Sequence, residues 1–195
     1  NQAICELLSE PQVRVVLLWG SSPNDLDLHV VGPTNQTVTT GGTPYNRFYV
    51  WWADTDALSF NESTGQYIDV PDPSGTFSTT SLVIDDVSDY GPEAINLFRY
   101  GGAQYAQGVY TYTVHNYSGG GWSAATNQAT IRIYDSMGMV REIPMPYRSD
   151  MDSYRYWLAF KLNIAGMTRS QRTVFVNSVS PFGSLTYGTK SSMDW

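Results

Sequence analysis

At 195 residues, with 42% hydrophobic and 14% aromatic residues but 15% charged, the chain can bury a sizeable core. It must build its surface from Ser, Thr, Asn, Gln, Gly and Tyr. A net charge of -7 without a Lys/Arg cluster repels phosphate backbones and excludes nucleic acid as a partner. No run approaches the about eighteen apolar residues of a membrane helix, and the lone Cys5 excludes an intrachain disulfide, a multi-cysteine zinc site and Cys-x-x-Cys redox chemistry.

The first element is an N-terminal arm over residues 1–12, which opens on Asn1 with no basic or long apolar leader, as expected of a chain whose signal peptide has been removed. Ala3–Glu10 has the composition of a short helix that Pro11 would close, and an extended arm fits equally well. When extended, Ala3, Cys5 and Leu7 share one face, with Ile4, Glu6 and Leu8 on the other. Both faces are mostly apolar, which suits a segment buried in this chain or donated to the sheet of a neighbour.

From residue 13 to 195 the pattern is that of one domain made of many short strands. Apolar, β-branched or aromatic runs recur at Arg14–Trp19, Leu26–Val31, Phe48–Trp52, Ser81–Asp85, Val109–Tyr117, Thr130–Tyr134, Tyr154–Asn163 and Thr173–Val179. In Tyr154–Asn163, strict alternation places Tyr156, Leu158, Phe160 and Leu162 on one face and Arg155, Trp157, Ala159 and Lys161 on the other. Turn residues cluster at Pro33–Asn35, Gly41–Pro44, Pro71–Gly75, Gly101–Gly102, Gly119–Gly121 and Pro144–Pro146. No helix-length segment joins the strands, so a parallel α/β sheet is excluded. The fold expected is all-β, an antiparallel β-sandwich of immunoglobulin-like or jelly-roll-like form.

Two acidic stretches carry the most chemical information. In Trp19–Pro33, WGSSPNDLDLHVVGP, alternation sends Leu26, Leu28 and Val30 one way and Asp25, Asp27 and His29 the other. Carboxylates one strand repeat apart repel unless water, a donor or a cation lies between them. In Leu82–Ile95, LVIDDVSDYGPEAI, a hydrophobic strand ends in Asp85, Asp86 and Asp89, followed by a Tyr-Gly-Pro turn and Glu93. Such oxygen donors around a tight turn suit a hard cation such as calcium. Each stretch alone could equally be a hydrated acidic turn.

Taken with the strand Gly108–Tyr117, GVYTYTVHNY, these two stretches resemble a family of secreted bacterial β-sandwich domains carrying D-L-D-x-H and D-D-x-x-x-Y-G-P-E motifs. That family comprises uncharacterised domains and calcium-dependent ligand-binding modules of large adhesins. The resemblance covers roughly residues 13–134. It implies a calcium site built from Asp25, Asp27, Asp85, Asp86 and Glu93, and a peptide or glycan ligand. The Gly-Pro pair would aim Glu93 back at the site.

Catalysis finds little support. The chain has two histidines, His29 and His115, too few for a site of three histidine ligands. It has no G-x-S-x-G nucleophile turn. His29 reads as a hydrogen-bonded strand residue and His115 as a residue of the sheet surface. Of the adjacent pair Trp51 and Trp52, one must face outward, and that one is a recognition candidate. Candidate glycosylation sequons stand at Asn35, Asn61 and Asn116.

The sequence therefore predicts a secreted or cell-surface, non-catalytic domain. It either assembles with copies of itself into a fibre through strand donation by Ala3, Ile4, Cys5, Leu7 and Leu8, or binds a peptide or carbohydrate with calcium.

Overall fold

In the computed structural model, residues 13–61, 66–68, 80–87, 90–97, 108–119, 121–122, 129–135, 138–147, 149–164 and 175–178 are described. Their β-branched and aromatic runs form twelve strands: β1 Val13–Leu18, β2 Leu26–Thr40, β3 Thr43–Trp51, β4 Asp54–Asn61, β5 Gln66–Ile68, β6 Thr80–Ile84, β7 Glu93–Leu97, β8 Gly108–Asn116, β9 Thr130–Asp135, β10 Gly138–Pro144, β11 Tyr156–Ile164 and β12 Phe175–Ser178. A 3-10 turn, Met151–Ser153, precedes β11. No helix among the described residues is long and apolar enough to cross a membrane.

All strand pairs are antiparallel and lie in two sheets. One has the order β10-β9-β1-β7-β6; the other runs β12-β11-β8-β2-β3-β4, with β5 beside β4. A single bridge between Asp56 of β4 and Ser81 of β6 joins the sheets along one side. The chain is therefore an all-β antiparallel sandwich, as expected.

The space between the sheets is filled from both. Val15, Leu17, Ile95, Leu97, Ile131 and Ile133 project from the first sheet, and Leu26, Leu28, Val30, Tyr112, Val114 and Phe160 from the second. Tyr112 and Phe160 stack with ring centroids 4.5 Å apart. Buried Trp122 closes one side, with its indole Nε1 donating to the Tyr154 carbonyl at 2.6 Å. That bond satisfies a polar group that would otherwise be costly to bury.

β11 departs from strict alternation. Its register against β8 shifts between Leu158 and Phe160, a β-bulge that uses Ala159 as the extra residue and reverses which side chains face the core. Trp157 and Ala159 enter the core from the first half, Phe160 and Leu162 from the second. Tyr156 consequently lies on the opposite face, where it stacks on His115.

β2 is also longer than its hydrophobic run. The expected turn at Pro33–Asn35 falls inside the strand, where the register on β3 slips between Pro33 and Val38. The reversal comes at Gly41 and Gly42, with φ of +60° and +83°, the left-handed pair that tight hairpins require. Strands β4, β5, β7 and β10 have no clear alternation in sequence. In β7, Glu93–Leu97, all five residues are buried, so no polar face marks it.

Candidate metal centre

The first half of β2, residues 26–32, is buried on both faces. Leu26, Leu28 and Val30 belong to the sandwich core, while on the reverse side Asp27 is 3% and His29 2% exposed. The predicted alternation holds, but the polar face is enclosed rather than solvated. Val31, Tyr49 and Trp51 form a second apolar cluster on that side.

The β2–β3 ladder ends at the Val30–Val50 pair, because the chain turns at Trp52 and Ala53. The Leu28 amide then has no strand acceptor from β3. Glu93, fully buried at the start of β7, supplies one: its Oε2 accepts the Leu28 N–H. A side chain from one sheet thus satisfies a buried backbone donor of the other, which would be costly to leave unpaired. Glu93 follows Tyr90, Gly91 and Pro92, in which Tyr90 has φ +80° and Gly91 φ +59°. A Cβ on Gly91 would lie 2.6 Å from the Trp19 ring. This turn therefore needs glycine for both backbone conformation and space.

The two acidic stretches converge here. Carboxylate oxygens of Asp27, Asp85 and Glu93 lie within 4.8 Å of one another. Asp25 and Asp86 belong to the same electrostatic neighbourhood: burial first, then Asp27, Asp85 and Asp86, push the Asp25 pKa up to about 6. Burial pushes that of Glu93 up to about 10, aided by Asp27 and Asp85 and opposed by the Leu28 amide. Asp27 is raised by burial and by Asp85, while its hydrogen bond to His115 pulls the other way. Glu93 Oε1 is sealed from solvent without a hydrogen-bond partner, and Asp85 beside it adds to the upward shift of Glu93. Asp89 lies outside the described residues.

Such a cluster keeps a proton or takes a cation, because like charges at this separation, with Asp27 and Glu93 buried and Asp85 exposed, ionise together only at a cost. The donors are all carboxylate oxygens, the set that a hard cation of calcium type prefers.

A second group adjoins it. His115 lies opposite Asp27 across the β2–β8 pair, with Nδ1 2.9 Å from Asp27 Oδ2. His29, two residues along β2, has its Nδ1 2.8 Å from the Tyr49 hydroxyl. Ligand atoms of Asp27, His29 and His115 lie within 4.8 Å of one another. Tyr156 stacks on His115 at 4.5 Å and 19°, and Trp51 meets His29 edge-on at 6.2 Å. Burial, then His115, lowers the His29 pKa well below its usual value and keeps the ring neutral. An argument that seeks histidine ligands in threes misses this group. Its signal is a carboxylate two residues before one imidazole, with the strand partner of the carboxylate left undefined.

Of the adjacent tryptophans, Trp51 is buried and Trp52 is 42% exposed. Trp52 meets exposed Tyr117 edge-to-face at 5.5 Å, and Tyr117 in turn contacts His115 at 6.0 Å. An aromatic surface therefore runs outward from the buried polar cluster.

The sequons fare differently from their turn-like appearance. Asn116 is 1% exposed, and its carboxamide oxygen accepts from the Gly119 amide at 2.9 Å. A side chain enclosed and bonded in this way does not project a glycan. Asn35 falls within β2 and Asn61 closes β4. The arm residues Ala3, Ile4, Cys5, Leu7 and Leu8 lie outside the described residues.

No protein-family model and no curated protein matches the chain. Among solved structures it is similar to one titled as the crystal structure of an unknown-function protein, SAV2460, at 14% identity and a TM-score of 0.42, covering 87% of this chain and 89% of that one.

Proposed function

We propose that this chain is a non-catalytic, extracellular recognition domain whose binding surface is held in shape by calcium. The observation that carries the reading is the convergence of Asp27, Asp85 and buried Glu93 within 4.8 Å, drawn from both sheets. Asp25 and Asp86 add charge at the rim. A calcium ion would replace the proton that Glu93 otherwise retains and tie β2 to the β6–β7 connection. The exposed Trp52 and Tyr117 rings offer apolar faces beside this site, suited to a saccharide ring or a peptide side chain. The domain would then serve in adhesion at a cell surface.

A fibre subunit gains less support. β10 ends the first sheet, and it carries a bulge between Met139 and Arg141, the charges of Arg141 and Glu142, and Pro144. These are features that discourage strand addition at an edge.

The test is thermal unfolding with calcium and with chelator, together with equilibrium dialysis. A ligand that binds only the folded state, at a hundredfold excess over Kd, stabilises by about 2.7 kcal/mol. For a chain of this length that raises Tm by roughly 5–10 °C. An unchanged Tm with no ion retained on dialysis would refute the proposal.

A further inference from the structure

The imidazole side of Asp27 is a different chemical environment from the carboxylate side. We propose that Asp27, His29 and His115 form a second metal site, for a borderline divalent cation of the zinc class, sharing Asp27 with the carboxylate site. Two imidazole nitrogens and one carboxylate oxygen within 4.8 Å of one another match the mixed N/O set that zinc, cobalt(II) and nickel(II) prefer and calcium does not. Ligands of a tetrahedral zinc lie about 3.3 Å apart, given bonds of about 2.0–2.1 Å, so a small adjustment of the group, with the closest pair opening slightly, would fit it around the ion. His115 and Asp27 are already 2.9 Å apart.

The sheet builds this arrangement directly. Asp27 and His29 occupy successive positions on one face of β2, and His115 stands opposite Asp27 on β8. One ligand therefore sits across from a second and diagonal to the third, within the reach of strand neighbours. The surroundings supply what metal-bound histidines usually have. The Tyr49 hydroxyl engages His29 Nδ1 at 2.8 Å, which orients that ring. The stacked Tyr156 ring fixes His115. The His115 side chain is 19% exposed, which gives an ion a way in beside Tyr117.

The site stands apart from the calcium reading, because its two nitrogen donors take no part in that one. The experiment uses the full chain stripped with chelator, then titrated separately with zinc chloride, cobalt(II) chloride and calcium chloride. The expected result is one zinc per chain with micromolar affinity or tighter, and a visible cobalt absorption of the intensity given by four- or five-coordinate ions. His115→Ala should weaken zinc by more than an order of magnitude and abolish the cobalt band, while calcium, which His115 reaches only through its bond to Asp27, weakens far less. Asp85→Asn should do the reverse, and Asp27→Asn should impair both ions. His29→Gln is a second test of the nitrogen set; if it does not fold, the partly exposed His115 position decides alone. Absence of stoichiometric zinc binding, or zinc binding indifferent to His115→Ala, would overturn the proposal.

Discussion

The two faces of the first half of β2 are buried to the same degree and do opposite things. On one, Leu26, Leu28 and Val30 meet the other sheet in an apolar core; on the other, Asp27 and His29 sit among polar partners and aromatic rings. Burial alone therefore does not separate core from site. The inner face gains from exclusion of water, whereas the outer face holds groups that dry surroundings make costly unless each is compensated. A single strand can carry both because side chains alternate and each face has its own cover.

Substitutions on the two faces should fail in different ways. Leu28→Ala is expected to have the largest effect: a loss of about 2–5 kcal/mol, as for buried leucines generally. It should lower Tm equally with calcium and with chelator, as differential scanning calorimetry would show. Gly91→Ala comes next, because it strains a left-handed φ of +59° and drives a methyl group into the Trp19 ring. We predict a loss of about 1–3 kcal/mol together with a weakened calcium response, since Glu93 is two residues away.

Glu93→Gln sharpens the contrast. The amide has the shape of the protonated acid and can still accept from the Leu28 N–H. Chelated protein should therefore change by about 1 kcal/mol or less, while the stabilisation by calcium disappears from the melting curves. If the variant is as calcium-responsive as the wild type, Glu93 is not a ligand.

The acidity of the site gives a further expectation. Asp25 and Glu93 are raised to about 6 and about 10, so the folded, cation-free chain binds these protons more tightly than the unfolded one does. Their contribution is full below the unfolded carboxyl range of about 4 and declines as pH rises, over about 4–6 for Asp25 and further for Glu93. Calcium bound as proposed would compete with the same protons. The difference in Tm between calcium-loaded and chelated protein should widen from pH 5 to pH 8; a constant or narrowing difference would count against the site. The smallest effect belongs to Trp52→Ala, which should change stability by about 1 kcal/mol or less given its exposed edge-to-face contact. It would weaken any glycan or peptide ligand without altering the calcium response.

The sandwich and several strands are legible in the sequence because apolar alternation is local. The donors of the carboxylate site are legible too, as residue types on one strand face and one turn. Their convergence is not, because it depends on how β7 faces β2 across the sandwich, and no local pattern encodes that. Tyr156 shows the same limit within one strand: its place beside His115 follows from the bulge at Ala159, which alternation cannot reveal. β7 escapes notice because its five residues are all enclosed and it opens on a glutamate, a poor strand signal by composition. Asn116 misleads in the opposite direction, since a Gly-rich neighbourhood suggests an open loop while the side chain is drawn inward to bond the Gly119 amide.

The link between Glu93 and the Leu28 amide spans 65 positions along the chain, and this distance bears on the order in which the molecule assembles. A site whose donors come from such distant segments does not exist until both sheets have closed, so an ion held there has nothing to grip in the early ensemble. Its stabilisation should appear almost entirely as slower unfolding, with the refolding rate unchanged, the pattern of an interaction absent from the transition state. In the extracellular setting proposed above, the lifetime of the closed form would count for more than its equilibrium share.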